Sequence, residues 1–304
     1  MIFPSVSIIV PNYNHAPYLR QRLDSIFNQT YQNFEVIILD DCSTDNSKAI
    51  IDEYRNRPQI SHIVYNETNS GSPFKQWTKG FDLAKGEYIW IAESDDWAEP
   101  FFLEELISKA VLFPDSALLF CSSIWEYTSS SVNKPLTNAD FKLNGESFIR
   151  QWMLYNNFIS NASAVIFKKD ILHNIKPLYQ NFSASGDYMF WILICEHGQI
   201  FYTSKTLNHF RQHNTSTTAV CKKNGIQFKE NHSIFKYLVQ KNYIHFLEKQ
   251  KIILYYLNLI DDSKKFITTQ TYDECTKLWE ADFFVPFGIS YLKKLKKIVD
   301  YIKA

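Results

Sequence analysis

The chain has 304 residues, 45% of them apolar and 21% charged, an ordinary globular composition that can bury a substantial core. Lysine plus arginine equals aspartate plus glutamate at 32 each, so no global field recruits nucleic acid and any anion site must be local. Five cysteines, an odd number without a CxxC pair, argue for reduced thiols in a cytosolic setting and against cysteine-bound zinc.

The start, Met1-Ile2-Phe3-Pro4, lacks a basic region and a cleavable apolar segment, and no run approaches membrane-spanning length. The folded part is therefore expected to be soluble and cytoplasmic. Val6 to Val10 reads as a strand broken by the polar turn Pro11-Asn12-Tyr13-Asn14-His15. From Pro17 a helix follows, with Leu19, Leu23, Ile26 and Phe27 on one face. Phe34 to Leu39 is a second buried strand ending in Asp40-Asp41-Cys42-Ser43-Thr44-Asp45, whose hydroxyls and last acid can cap a helix from about Asn46 to Tyr54. Ile60 to Tyr65 gives a third strand, and a helix carrying Phe74, Trp77 and Phe81 leads through Lys85-Gly86 into Tyr88-Ile89-Trp90-Ile91-Ala92.

That apolar run ends in Glu93-Ser94-Asp95-Asp96, three carboxylates in four residues. Strands buried on both faces belong to parallel sheets covered by helices, and ligands bind at the carboxyl edge of such sheets. In extended backbone Glu93 and Asp95 would share a face and Asp96 would point away. A divalent cation bridging to phosphate oxygens would relieve the repulsion of the cluster. The plainer reading is a cap, with Trp97-Ala98-Glu99-Pro100 entering a helix that runs from Phe101 to Phe113.

Ala117 to Ile124 is a further strand, Thr128 to Asn144 an exposed loop or lid, Ser147 to Leu154 a helix and Ala162 to Phe167 a strand. Ser183-Ala184-Ser185-Gly186-Asp187 opens the very apolar helix Tyr188 to Glu196. Ile200 to Thr203 and Leu207 to Arg211 are strands delivering His213. Beyond about Gly225 the pattern turns to helices rich in Lys, Tyr and Phe, which predicts two domains, residues 1–220 and 221–304. Alternating strands and helices predict an α/β fold with a Rossmann-like, mostly parallel sheet flanked by helices and a helical C-terminal extension. No GxGxxG and no GxxxxGK[ST] occurs, so neither a nicotinamide dinucleotide nor P-loop hydrolysis is supported.

Three strings together, Ser7-Ile8-Ile9-Val10-Pro11-Asn12-Tyr13-Asn14, the stretch Phe34 to Asp45, and Gly86-Glu87-Tyr88-Ile89 running into Glu93-Ser94-Asp95-Asp96, resemble family-2 glycosyltransferases of the GT-A fold. The resemblance is strong over residues 5–115, looser to about 218 and absent beyond. It implies an inverting, metal-dependent enzyme that moves a hexosyl or N-acetylhexosaminyl group from a nucleotide-diphosphate sugar, a UDP-sugar above all, to an acceptor hydroxyl in glycan biosynthesis.

Carried over by residue, the resemblance gives Pro11, Tyr13 and Asn14 to the nucleoside and Asp41 to the base. It makes Glu93-Ser94-Asp95 the counterpart of the DxD motif, beside Asp96, with Asp95 and the late His213 holding Mg²⁺ or Mn²⁺ and Asp187 as catalytic base. The chain departs from the pattern in having Glu at position 93. It also has Gln76-Trp77-Thr78-Lys79 where many relatives carry Ala-Arg-Asn, and Lys75 is the substitute contact for the diphosphate. The competing readings are a non-catalytic nucleotide- or carbohydrate-binding module and a nucleotidyltransferase. The loop Thr128 to Asn144 and the region Gly145 to Asn161 would set the donor sugar, the linkage and the acceptor, a glycan or lipid-linked glycan. Ile289, Leu292, Leu295, Val299 and Ile302, interleaved with lysines, read as a basic amphipathic helix for peripheral contact with the inner face of a cell membrane, or for packing on the catalytic domain.

Overall fold

Runs of isoleucine and valine build the centre of the sheet. In the computed structural model, which describes residues 3–159, 161–212 and 224–283, β1 (Val6–Asn12), β2 (Phe34–Asp40), β3 (Ile60–Tyr65) and β4 (Tyr88–Ile91) are parallel and lie in the order β3-β2-β1-β4. Val6, Ile8, Ile9, Val10 and Val36 to Leu39 are fully buried, each apolar side chain contributing about 1.5–3 kcal/mol of transfer free energy. The pairs Asn12–Asp40 and Ile9–Ile91 stand in register, so the chain leaves β1, β2 and β4 at one edge.

Three helices connect these strands: α1 (Ala16–Phe27), α2 (Ser47–Tyr54) and α3 (Pro73–Leu83). The approach of α3 to β1 is close. A Cβ at Gly80 would lie 2.5 Å from Ile9 Cγ2, so a glycine is required there.

The second half of the sheet is mixed. Trp97–Ala98 is not a helix entry but a two-residue strand, β5, and α4 (Phe102–Leu112) begins beyond it. β6 (Ser116–Tyr127) is longer than expected, because its outer part pairs with β7 (Ser130–Lys134). The polar stretch 128–144 is thus not a single loop or lid: β7, exposed throughout, and β8 (Phe141–Asn144), half-buried at alternate positions, are strands whose backbone partners are supplied by longer neighbours. After α5 (Gly145–Trp152), β9 (Val165–Lys168) runs antiparallel between β4 and β6. The helix α6 (Gly186–Cys195) is buried from Tyr188 to Cys195, which explains its uniformly apolar sequence.

The two late strands are one, β10 (Gln199–Arg211), parallel to β6 and interrupted by register shifts between Thr203 and Asn208. Asp140 holds the interruption, accepting from Ser204 N at 2.8 Å and from the hydroxyls of Thr203 and Ser204. Among the described residues six of the ten strands share one direction, with β5, β7, β8 and β9 opposed.

Contacts divide the chain into two units, Met1–Ser216 and Thr217–Ala304. The second contains α7 (Ile226–Gln240), α8 (Phe246–Asp262) and α9 (Thr269–Glu280). These gather around the fully buried Trp279, which stacks on Tyr256 at 4.1 Å and donates its indole N–H to Phe228 O. Among the described residues no helix is long and apolar enough to cross a membrane, and the basic stretch 289–303 lies outside them.

Candidate nucleotide-sugar site

Six acids and their partners, Asp40, Asp41 and Asp45 from the end of β2 and Glu93, Asp95 and Asp96 after β4, gather at one edge of the sheet. Asn12 Nδ2 donates to Asp40 Oδ1 at 2.7 Å and to Ser43 Oγ at 3.1 Å, and the Asn14 backbone N–H donates to the same hydroxyl. Asn14 sits in the left-handed region (φ 56°), where asparagine is tolerated, and its Oδ1 accepts from Thr44 N at 2.8 Å. The two turns are thereby pinned to each other, while Tyr13 is 47% exposed with its ring open to a planar ligand. Pro11 is buried within β1.

One carboxylate starts two helices. Neither His15 nor Asn46, the N-caps of α1 and α2, bonds its own helix with its side chain. Asp45 accepts instead from Ala16 N at 2.8 Å and from Ser47 N at 2.9 Å. Of the three residues expected to cap α2, Ser43 and Thr44 are engaged with the β1 turn and Asp45 alone bonds the helix. Loss of both bonds in Asp45→Ala is expected to cost about 1–2 kcal/mol, read by urea denaturation; an unchanged midpoint would contradict this.

Asp41 is saturated from within. Asn66 Nδ2, Ser70 N and Gln76 Nε2 donate to its Oδ1, and Ser70 Oγ donates to Oδ2 at 2.7 Å. It orders the segment 66–72, so a contact to a base would need one of these donors to give way. Gln76 stands inside against Asp41, whereas Lys75 is exposed at the start of α3 with Nζ on Ser70 O at 3.0 Å, and Lys79 reaches Asn66.

The acidic segment is a turn, not an extended strand: Asp96 N donates to Glu93 O at 3.2 Å, so the alternation of faces expected for Glu93, Asp95 and Asp96 does not hold. Ser94 is buried and shares a 2.8 Å hydrogen bond with His15 Nδ1. Asp95 is half-buried. Asp96, expected among the donor contacts, is 1% exposed and committed inside the fold. Its Oδ2 accepts from Asn161 Nδ2 and Ser163 Oγ, both at 2.7 Å, and its Oδ1 accepts from Arg211 N at 3.0 Å. It anchors the turn to the entrance of β9 and the end of β10.

Beneath the turn lies Arg22, fully buried on the apolar face of α1. Its Nε donates to Glu93 O at 2.8 Å, Nη2 is 4.0 Å from Asp96 Oδ2, and the guanidinium faces the Trp90 ring. Burial lowers its pKa to about 10, against the opposing pull of Asp96, Asp95 and Glu93, so it stays charged at neutral pH. Arg211 adds a second cation, donating to Asp95 O. The crowded acids are therefore partly balanced by the protein itself.

Glu93 Oε1 accepts the Trp77 indole N–H at 2.9 Å. Burial first, and then the charge of Asp95, push the Glu93 carboxyl up to about 8. An ordinary glutamate has already lost its proton near 4.5, so between these values the folded protein holds one proton more than the unfolded chain. The contribution of Glu93 to stability is complete below pH 4.5 and is lost as pH rises through 8. Glu93→Gln should remove that loss: without nucleotide or metal, the melting temperature of the variant should gain on wild type from pH 5 to 9. Parallel curves would contradict the assignment.

Asp187 occupies the first turn of α6, half-buried, where the helix dipole favours a carboxylate. Asn157 Nδ2 donates to its Oδ2 at 2.9 Å. One short segment thus touches Asp187 through Asn157 and the acidic turn through Asn161. His213 lies outside the described residues, and among those described no three His, Cys, Asp or Glu side chains form a ready metal cluster.

The sequence reading missed Arg22, Arg211, Asn157 and Asn161. Only Arg22 left a signal, a charge three residues after Leu19 and four before Ile26 on a core-facing stripe.

Known proteins resemble the chain in the same region. The sequence model of Glycosyl transferase family 2 matches residues 7–175, more than half of the chain. Glycosyltransferase GlyG of Streptococcus pneumoniae is 40% identical over 104 residues, 34% of this chain and 34% of that protein. Poly(ribitol-phosphate) beta-N-acetylglucosaminyltransferase TarS of Staphylococcus aureus is 36% identical over 111 residues, 36% of this chain and 18% of its own. These matches span about a third or less of the relatives. The structure of TarS 1–349 in complex with UDP-GlcNAc superposes with a TM-score of 0.58 at 17% identity, covering 94% of both chains, which establishes a shared GT-A fold. Because the matched family model spans β1 through β9, including both acidic turns, the chain belongs to glycosyl transferase family 2.

Proposed function

We propose that the chain transfers a sugar, with inversion, from a UDP-sugar to an acceptor hydroxyl of a glycan or lipid-linked glycan. The observation that carries the reading is the segment 157–161, which links Asp187 to the acidic turn at the carboxyl edge of β4. The UDP-GlcNAc bound by TarS supports the nucleotide, and the exposed Tyr13 ring offers a stacking surface for a base.

The residues fit a divalent cation of the Mg²⁺ or Mn²⁺ type. Such ions take hard oxygen ligands and need only one or two carboxylates when diphosphate oxygens complete the shell. Asp95 is the candidate ligand, since Asp96 is spent inside the fold. When bound, the cation offsets the negative charge that develops on the departing diphosphate.

The other groups act directly. Asp187 takes the proton of the acceptor hydroxyl as its oxygen bonds to the anomeric carbon, and the bond from that carbon to the diphosphate breaks with its electron pair leaving on phosphate. A single displacement inverts the centre. Asn157 fixes one oxygen of Asp187. Glu93, held by Trp77, and Ser94, held by His15, line the donor side. A thermal-shift screen of nucleotide-sugars with Mn²⁺ tests the reading: UDP-sugars should stabilise by about 3 kcal/mol at a hundredfold excess over Kd. Failure of every uridine nucleotide to shift the transition would overturn it.

A further inference from the structure

Helix α1 lies along one side of the acidic turn and touches it repeatedly. Ser25 Oγ accepts from Ala98 N at 3.3 Å, Gln21 Oε1 accepts from Arg211 Nη2, and the Arg211 guanidinium lies over the Tyr18 ring, 4.9 Å from its centroid. Between these contacts in the helix stands Arg22, fully buried. An arginine at that depth is costly unless nearby charge answers it. The charges that act on it are those of Asp96, Asp95 and Glu93, which favour the guanidinium, and of Arg211, which opposes it.

The manner of contact is specific. Arg22 gives the turn one hydrogen bond, from Nε to Glu93 O at 2.8 Å. Among the described residues Nη1 and Nη2 have no hydrogen-bond partner. Asp96 Oδ2, 4.0 Å from Nη2, is close enough to feel the charge and too far for a hydrogen bond, while the Trp90 ring receives the guanidinium at 5.5 Å. An arginine that only braced the turn would place its five donors on carbonyls and carboxylates. Arg22 instead brings a positive charge to three acids with most of its donors unused. Together with Arg211, which bonds Asp95 O, it sets two guanidiniums against three carboxylates, so the bare turn retains at most one net negative charge.

We propose that Arg22 is a built-in counter-ion of the acidic turn. It assembles the turn before any divalent cation arrives and holds down the affinity of the bare turn for one, so that the cation is taken up together with the nucleotide, whose diphosphate completes the ligand shell. Arg22 is thereby a positioning residue, acting through the turn and touching neither donor nor acceptor. The proposal rests on Asp95 as the cation ligand. The alternative is that Arg22 is a structural brace whose charge is incidental.

Mn²⁺ binding to the full chain, followed by the EPR signal of the free ion with and without saturating UDP, separates the two. Wild type should bind Mn²⁺ about tenfold or more tightly with UDP than without it. Arg22→Met keeps the length of the side chain and removes the charge, so binding without UDP should tighten by about tenfold or more, the scale of one buried charge acting on a divalent ion. Mn²⁺ alone should then raise the melting temperature of this variant and leave that of wild type unchanged. Arg22→Lys should behave as wild type, since it keeps the charge and loses the shape. Wild type that binds Mn²⁺ equally with and without UDP overturns the proposal, and this holds even if Arg22→Met does not fold. A folded Arg22→Met with unaltered Mn²⁺ affinity, or Arg22→Lys that binds as tightly as Arg22→Met, overturns it as well. Adding Asp95→Asn to Arg22→Met tests the ligand separately: the gained Mn²⁺ binding should vanish, and its persistence would remove Asp95 as the ligand.

Discussion

Asp187→Asn is expected to keep donor binding and to lower turnover by about 10²- to 10⁴-fold. The substitution preserves shape, and the variant's amide oxygen can still accept from Asn157, so the first turn of α6 stays in place. What disappears is the capacity to receive a proton. Were Asp187 only an acid favoured by the helix dipole, its replacement would cost about 0.3–1 kcal/mol of stability and leave turnover intact. Kinetics with the donor varied at saturating acceptor distinguish the two, because a fall in kcat with unchanged donor KM is the signature of a group acting in the transition state.

The second large effect is expected at Asp95. Asp95→Asn should abolish transfer and remove the dependence of nucleotide binding on Mn²⁺, since the candidate ligand is replaced by a neutral amide. Its neighbour is the control. Asp96 holds Asn161, Ser163 and the Arg211 backbone, so Asp96→Asn should lower stability by about 3 kcal/mol, in the range for breaking a buried charge pair. Titrating UDP with and without Mn²⁺, together with melting each variant, gives both readouts. A manganese effect that survives in Asp95→Asn would move the ligand elsewhere in the turn.

The sequence displayed the first half of the fold plainly, because strands buried on both faces must be written in isoleucine and valine whatever their surroundings. Ile60 to Tyr65 was delimited to the residue. The second half was less legible for a physical reason. β7 is exposed at all five positions and β5 is two residues long, so neither carries a burial pattern; each exists because a longer strand offers it hydrogen bonds.

The site was legible in composition and not in geometry. Three acids after β4 marked the place, but nothing in Glu93-Ser94-Asp95-Asp96 reveals that the segment turns back on itself or that Asp96 faces inward to partners 65 and 67 residues away. Local spacing predicts faces only where the backbone is regular. Arg22 illustrates the converse: a charge on a buried stripe requires a partner, and the acidic turn is that partner.

The most direct measurement is the fate of the donor. Incubation of the chain with UDP-sugars, Mn²⁺ and a glycan acceptor, followed by proton NMR of the glycosidic product, reports transfer and anomeric configuration together. The account predicts UDP release coupled to a product of inverted configuration, strongly diminished in Asp187→Asn. A product that retains the donor configuration, or undiminished transfer by the variant, would contradict it.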